Sequence, residues 1–198
     1  MLTKSITQRL FRPQHWLLAS LLCGLSLHAV AEPLPSTLAL APTVAPLPTP
    51  EGRVMLTITG NIGVTNSGTN SAMGQADQAE FDLSLLDSFP QHEFVTETPW
   101  TEGAHRFSGV LLSDLLRRVD AKGSQVKAVA FNEYFAEINT RDPELSALLV
   151  TTRIDGQPMR IRDRGPTWLM LPLSELKQLN NKRYHELLIW QLRSLDVQ

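Results

Sequence analysis

From Arg53 onward, apolar side chains arrive in runs no longer than a strand, and Gly, Pro, Asn or Asp punctuates the gaps between them. That punctuation leaves no room for long helices and directs the chain toward many short strands. Val54 to Gly60 alternates large apolar and threonine side chains, as a half-buried strand requires. His92–Thr98, Val126–Phe131, Tyr134–Ile138, Trp168–Leu171 and a last strand at Glu186–Leu192 are read in the same way. Leu148–Arg153 and Met159–Arg162 flank Asp155-Gly156, a dipeptide suited to a two-residue hairpin turn. Three short helices are expected among them. Asp82 can cap one that Pro90 closes after Phe89, and Ser113 or Asp114 can start one through Val119, with Gly123 beyond its end. Ser174 can cap a third, ending at Leu179, and Asp142-Pro143 begins a turn or a shorter helix. Asn61 to Gly74 is a long polar loop. Such an order predicts an α+β domain over residues 53–198, without βαβ repetition.

Two regions precede that domain. Residues 1–31 read as a secretory signal peptide. Lys4, Arg9 and Arg12 lead, an apolar stretch from Trp16 to Leu27 follows, and Ala29-Val30-Ala31 supplies small residues for cleavage after Ala31. The apolar stretch is short for a membrane span, and Leu22 is too bulky before Cys23 for lipidation. Residues 32–52 carry Pro33, Pro35, Pro42, Pro46, Pro48 and Pro50, which deny donors to a sheet and predict a flexible linker.

Export changes the chemistry available. The leader holds three of the 18 Lys and Arg residues and none of the 20 Asp and Glu, leaving 15 against 20, a formal charge of −5. Dispersed negative charge gives no footprint for nucleic acid. The one cysteine, Cys23, leaves with the leader, so the mature chain has no disulfide, thiolate ligand or cysteine nucleophile. Roughly 150 residues must then be stabilised by their core alone. No phosphate-binding glycine loop, nucleophile elbow or paired-histidine metal helix is present. His92, His105 and His185 are scattered and read as surface or hydrogen-bonded histidines.

A linked series of segments is more specific. Thr96–Thr101 leads to Phe107–Leu116, then to Ala130-Phe131-Asn132-Glu133-Tyr134 and Arg141-Asp142. Ile154–Met159, Arg162–Trp168 and Leu171-Pro172 complete it. In this order and spacing the chain resembles the oxidoreductase molybdopterin-binding domain family, whose fold is that of sulfite oxidase. The resemblance runs from about Val54 to the C-terminus and implies mixed β-sheets with short helices. It also implies a cleft for a flat pterin. One departure stands out: in the molybdoenzymes the strand before the Phe107–Leu116 segment carries the cysteine whose sulfur binds molybdenum. Here that stretch is Thr96-Glu97-Thr98, and neither a hydroxyl nor a carboxylate matches thiolate softness.

A pterin needs planes to stack on and amide or carboxylate groups for its edge. Trp100, Phe131, Tyr134 and Trp168 are candidate stackers, each also readable as core. Asn132 suits a mixed donor–acceptor edge or a turn, and Asp142 or Glu133 could receive an amino group. Arg162 and Arg164 could fork onto a tail or carbonyl, or form a solvated hairpin end. Thr98 completes the candidate ligand-binding set, with no catalytic or metal-ligating residue expected. Small exported proteins of this fold lacking the cysteine resemble periplasmic pterin-binding regulators. The resemblance implies a pterin or molybdopterin-like ligand without molybdenum, a periplasmic location, and a partner that is the periplasmic domain of a membrane-bound cyclic-di-GMP-metabolising enzyme. No direct membrane insertion is expected after cleavage. A molybdopterin-dependent oxidoreductase and a ligand-free interaction module are the other two readings.

Overall fold

Residues 45–67 and 78–198 are described by the computed structural model, all within one of its two units, Ala41–Gln198. The signal-peptide region, residues 32–44 and residues 68–74 of the expected polar loop lie outside the described residues. In chain order the elements are β1 (Leu56–Gly60), β2 (Ala79–Phe81), α1 (Leu83–Asp87), β3 (His92–Glu97), β4 (Ala104–Leu111) and α2 (Leu112–Arg118). Then come β5 (Gln125–Ala130), β6 (Phe135–Asn139), β7 (Leu149–Ile154), β8 (Gln157–Pro158), β9 (Trp168–Met170), α3 (Lys182–His185) and β10 (Leu192–Val197). Single 3-10 turns fall at Pro143–Leu145, Ile161–Asp163 and Lys177–Leu179. Among the described residues no helix is long and apolar enough to cross a membrane.

Two sheets result, the first mixed and the second antiparallel throughout. The first runs β2-β1-β10-β5-β6, with β1 and β10 parallel and the other pairs antiparallel. The second runs β3-β4-β7-β8, with β9 also paired to β7. Alternation along the strands sends Leu56, Ile58, Val126, Ala128 and Leu195 from the first sheet, and Phe107, Val110, Val150 and Leu169 from the second, into one apolar cluster. The architecture is α+β, as the sequence predicts.

Local turn chemistry appears where it was expected. Asp155 and Gly156 take positive φ of 50° and 79°, the twist a tight hairpin demands. Asp82 caps α1 by accepting from Leu85 N–H at 2.8 Å.

Other elements differ from the sequence reading. The last strand is Leu192–Val197 rather than Glu186–Leu192, and Met159–Arg162 forms no strand, its second half opening a 3-10 turn at Ile161–Asp163. Helix α2 begins at Leu112, with no side chain capping it, because β4 runs straight into it. Ser174 caps no helix: its hydroxyl accepts from Glu97 N–H at 3.0 Å and meets Thr96 Oγ1 at 3.2 Å across the fold.

The Pro-rich segment also departs from expectation. Its final residues are built into the domain: Leu47 is only 6% exposed, Pro46 carbonyl accepts from Arg118, and Pro48 carbonyl accepts from Asn66 Nδ2 at 2.6 Å. Proline removes donors but leaves carbonyls free, so such a strap can be held by donors reaching toward it. Asp82 finishes the attachment, accepting from Gly52 and Glu51 N–H at 2.6 and 3.0 Å. Burial works to raise the Asp82 carboxyl, but the amides of Leu85, Gly52 and Glu51 outweigh it and hold the group below its ordinary 3.8. A carboxyl with a depressed folded pKa contributes stability above its unfolded value and loses it as pH falls through the folded one. Asp82→Ala should therefore cost about 2 kcal/mol at neutral pH. The gap between the two urea midpoints should narrow below about pH 4. A gap independent of pH would show that the charge on Asp82 contributes nothing.

Candidate functional site

The chain leaves β3 into Thr98-Pro99-Trp100-Thr101, where hydroxyls replace sheet partners. Trp100 N–H donates to Thr98 Oγ1 at 3.2 Å, and the Thr98 and Thr101 hydroxyls meet at 3.0 Å. This knot turns the Trp100 indole outward over a hollow of about 320 Å³, within the size range of small-molecule sites. Trp190 stands edge-on to Trp100 at 5.4 Å and His185 at 5.8 Å, geometries that suit aromatic quadrupoles. Leu188, Ile189 and Ala130 extend the apolar wall.

Polar groups gather on the rim. After β5 the chain turns through Glu133 at φ 65°, and Asn132 Oδ1 accepts from Tyr134 N–H at 3.1 Å. The turn places Asn132 and Tyr134 at the opening, and the Tyr134 hydroxyl donates to the Glu186 carbonyl at 3.1 Å. Helix α3, capped by Asn181, brings Lys182 and His185 to the same hollow. His185 Nε2 meets the neutral amide oxygen of Asn180 at 2.8 Å, so no carboxylate orients this ring as it would in a catalytic dyad. The arrangement is suited to gripping a flat, partly polar molecule between an aromatic wall and a polar rim.

Three of the sequence-predicted residues meet here: Trp100, Asn132 and Tyr134. Arg164 stands behind them, donating to the Trp100 carbonyl at 2.5 Å with its guanidinium 5.6 Å from the Trp168 ring. It positions Trp100 rather than facing the hollow. Trp168 is 0% exposed and donates through Nε1 to the Leu188 carbonyl at 3.1 Å, so its ring is the floor beneath Trp100, with no open face. Thr98 organises the turn and is buried. Phe131 is exposed but lies off the cleft, its N–H bonded to the Gln191 carbonyl at 3.0 Å. Asp142 caps the Pro143–Leu145 turn and pairs with Arg183 at 2.9 Å in a neighbouring groove. Arg162 borders a separate, more open groove with Arg53 and Arg160. Lys182, His185, Glu186 and Trp190 were not among the predicted residues, because the apolar run at 187–190 reads as a core strand. The polar Asn180–Arg183 stretch just before it was the available signal of a turn.

The stretch comparable to the cysteine-bearing strand is closed. Thr96 is fully buried and bonded to Ser174, and Thr98 is spent within its own turn. Among the described residues no three His, Cys, Asp or Glu side chains are grouped to hold a metal ion. No thiolate stands in the Thr96-Glu97-Thr98 stretch, and the aromatic cleft offers a face on which a flat heterocycle can stack.

No family model matches the chain, and no curated protein matches it. Among solved structures the chain is similar to the sulfane dehydrogenase SoxCD from Paracoccus pantotrophus, with a TM-score of 0.50 and 15% identity. The match covers 73% of this chain and 38% of that one, so the chain spans well under half of its neighbour's length. The fold is of the sulfite-oxidase molybdopterin-binding type.

Proposed function

We propose that this chain is a periplasmic pterin-binding protein without catalysis, which controls a membrane-bound cyclic-di-GMP-metabolising enzyme through that enzyme's periplasmic domain. The observation that carries the ligand half is the Trp100 cleft: a tryptophan wall for stacking and Asn132 at the rim, on a fold of molybdopterin-binding type. The partner and the location rest on the resemblance described from the sequence. The ligand is bound through its ring rather than through a metal, in keeping with the hydroxyls that stand where the fold's sulfur ligand would be.

Calorimetry with a set of oxidised and reduced pterins tests this reading. Trp100→Ala should remove stacking worth on the order of 1 kcal/mol or more, about fivefold in affinity or greater. Asn132→Ala should weaken binding by a similar factor if its amide meets the pterin edge. Unchanged affinity in both folded variants would place the ligand elsewhere, and no binding by the parent chain would leave an interaction module.

A further inference from the structure

Strand β6 ends the first sheet, and among the described residues nothing pairs with its outer side. At one end of the β5–β6 hairpin Ala130 N–H donates to the Tyr134 carbonyl, and at the other Thr140 N–H donates to the Ser124 carbonyl, both at 2.9 Å. Ala128 faces Ala136 and Val126 faces Ile138 between them. Even-numbered residues of β6 are thus the ones bonded to β5, so the N–H and C=O groups of Phe135 and Glu137 point outward as a template for another strand.

The edge carries one charged side chain, Glu137, beside exposed aromatic surface. Of the six large hydrophobic residues exposed among the described ones, Phe131, Tyr134 and Phe135 lie together in this one hairpin, Phe135 being 51% exposed. A groove lined by Phe135, Ala136, Leu145 and Leu187 runs alongside. The second sheet's edge, β3, is treated differently: Ser174 takes its Glu97 N–H, and His92, Glu93 and Glu97 crowd it with polar charge.

We propose that the open edge of β6 docks an extended segment of another protein, paired strand to strand with Phe135–Asn139, with a basic side chain opposite Glu137 and an apolar one two positions along, opposite Phe135. Charge selects this occupant. Glu137 has no ion-pair partner among the described residues, since Lys127 opposite it lies over the Phe135 ring at 4.4 Å; Glu186, 3.8 Å from Lys182, adds a second carboxylate, while the groove's Arg183 is engaged with Asp142. A second copy of the chain is disfavoured, because full antiparallel overlap of two β6 strands sets Glu137 against its own counterpart. A lysine or arginine opposite Glu137 removes that conflict, and an apolar residue two positions along, on the same face of the strand, covers Phe135. Tyr134 and Glu186 line both this groove and the Trp100 cleft, joined by the Tyr134 hydroxyl bond, so docking and cleft occupancy share a wall. Only that coupling rests on the pterin reading.

The test uses a fluorescein-labelled synthetic peptide of about ten residues in which lysine and valine take turns at every second position and threonine fills the rest, a length that spans the strand, followed by anisotropy in the absence of pterin. The parent chain should bind it, Glu137→Lys should bind about tenfold more weakly, and the same variant should gain affinity for a glutamate–valine peptide. Glu137→Pro removes an outward N–H that β5 does not use and should abolish binding. Amide protons of Phe135 and Glu137 should become protected on titration. No binding up to about 1 mM, or equal binding by the parent and Glu137→Lys, would overturn the proposal. A dimer seen by sedimentation and lost in Glu137→Pro would also overturn it, assigning the edge to a second copy. Because no pterin is present, failure here leaves the ligand reading standing, and the reverse also holds.

Discussion

Trp168→Ala should cost about 3–5 kcal/mol of folding stability, the range for deleting a large, fully buried aromatic ring. In a domain of this size that corresponds to a fall in melting temperature of roughly 10 °C or more. The ring is 0% exposed and touches Phe107 at 5.6 Å, Trp190 at 6.3 Å and Trp100 at 6.5 Å, so its loss opens a void under the whole aromatic group. It also deprives the Leu188 carbonyl of its donor in a buried place. Trp168→Phe should recover much of the packing while leaving that carbonyl bare, and so should fall between the two. Thermal melts of the three proteins would decide. An alanine variant within about 1 kcal/mol of the parent would mean that the cluster refills the space and that Trp168 is no floor at all.

Gly109→Ala is expected to be nearly as damaging for the opposite reason. A Cβ placed on Gly109 would stand 2.2 Å from the Val150 carbonyl oxygen and 2.6 Å from Thr151 Cα, both backbone atoms of the paired strand β7. Side chains can rotate away from such a contact, whereas a hydrogen-bonded backbone cannot without breaking its ladder. The close approach coincides with a register shift between Ser108 and Gly109, where β4 bends over β7. Forcing the strands apart should cost roughly 3 kcal/mol, at the upper end for overpacking. It should also loosen Trp168, which is paired to Thr151 on the far side of β7. Urea denaturation gives the first quantity, and tryptophan fluorescence of the native state gives the second. A variant as stable as the parent, with unshifted emission, would show that β4 and β7 do not approach so closely.

What the sequence made legible was local. Asp155-Gly156 and Asp82 announce their turn and cap because the chemistry involves residues within three positions of one another. Strand β4 was not foreseen: His105, Arg106 and Ser108 obscure its alternation, and Gly109 weakens the strand signal, so pairing with both β3 and β7 decides it instead. Leu187–Trp190 looks like a strand, yet the strand lies later, where Ser194 and Leu195 find Thr57 and Ile58 from the far end of the domain. Ser174 satisfies Thr96 and Glu97 rather than a helix, a choice visible only once distant segments meet. The site divides along the same line. Trp100 sits in a Pro/Thr loop and invited attention, whereas His185 and Trp190 acquire meaning from the rings they face.

The parallel pairing of β1 with β10 has a consequence for the order of events. β10 lies between β1 and β5 in its sheet, so β1 has no inner neighbour until Leu192–Val197 have been made. Partial chains cannot close that sheet, and contacts so distant in sequence form slowly. This arrangement delays collapse of the first sheet until its closing strand is available.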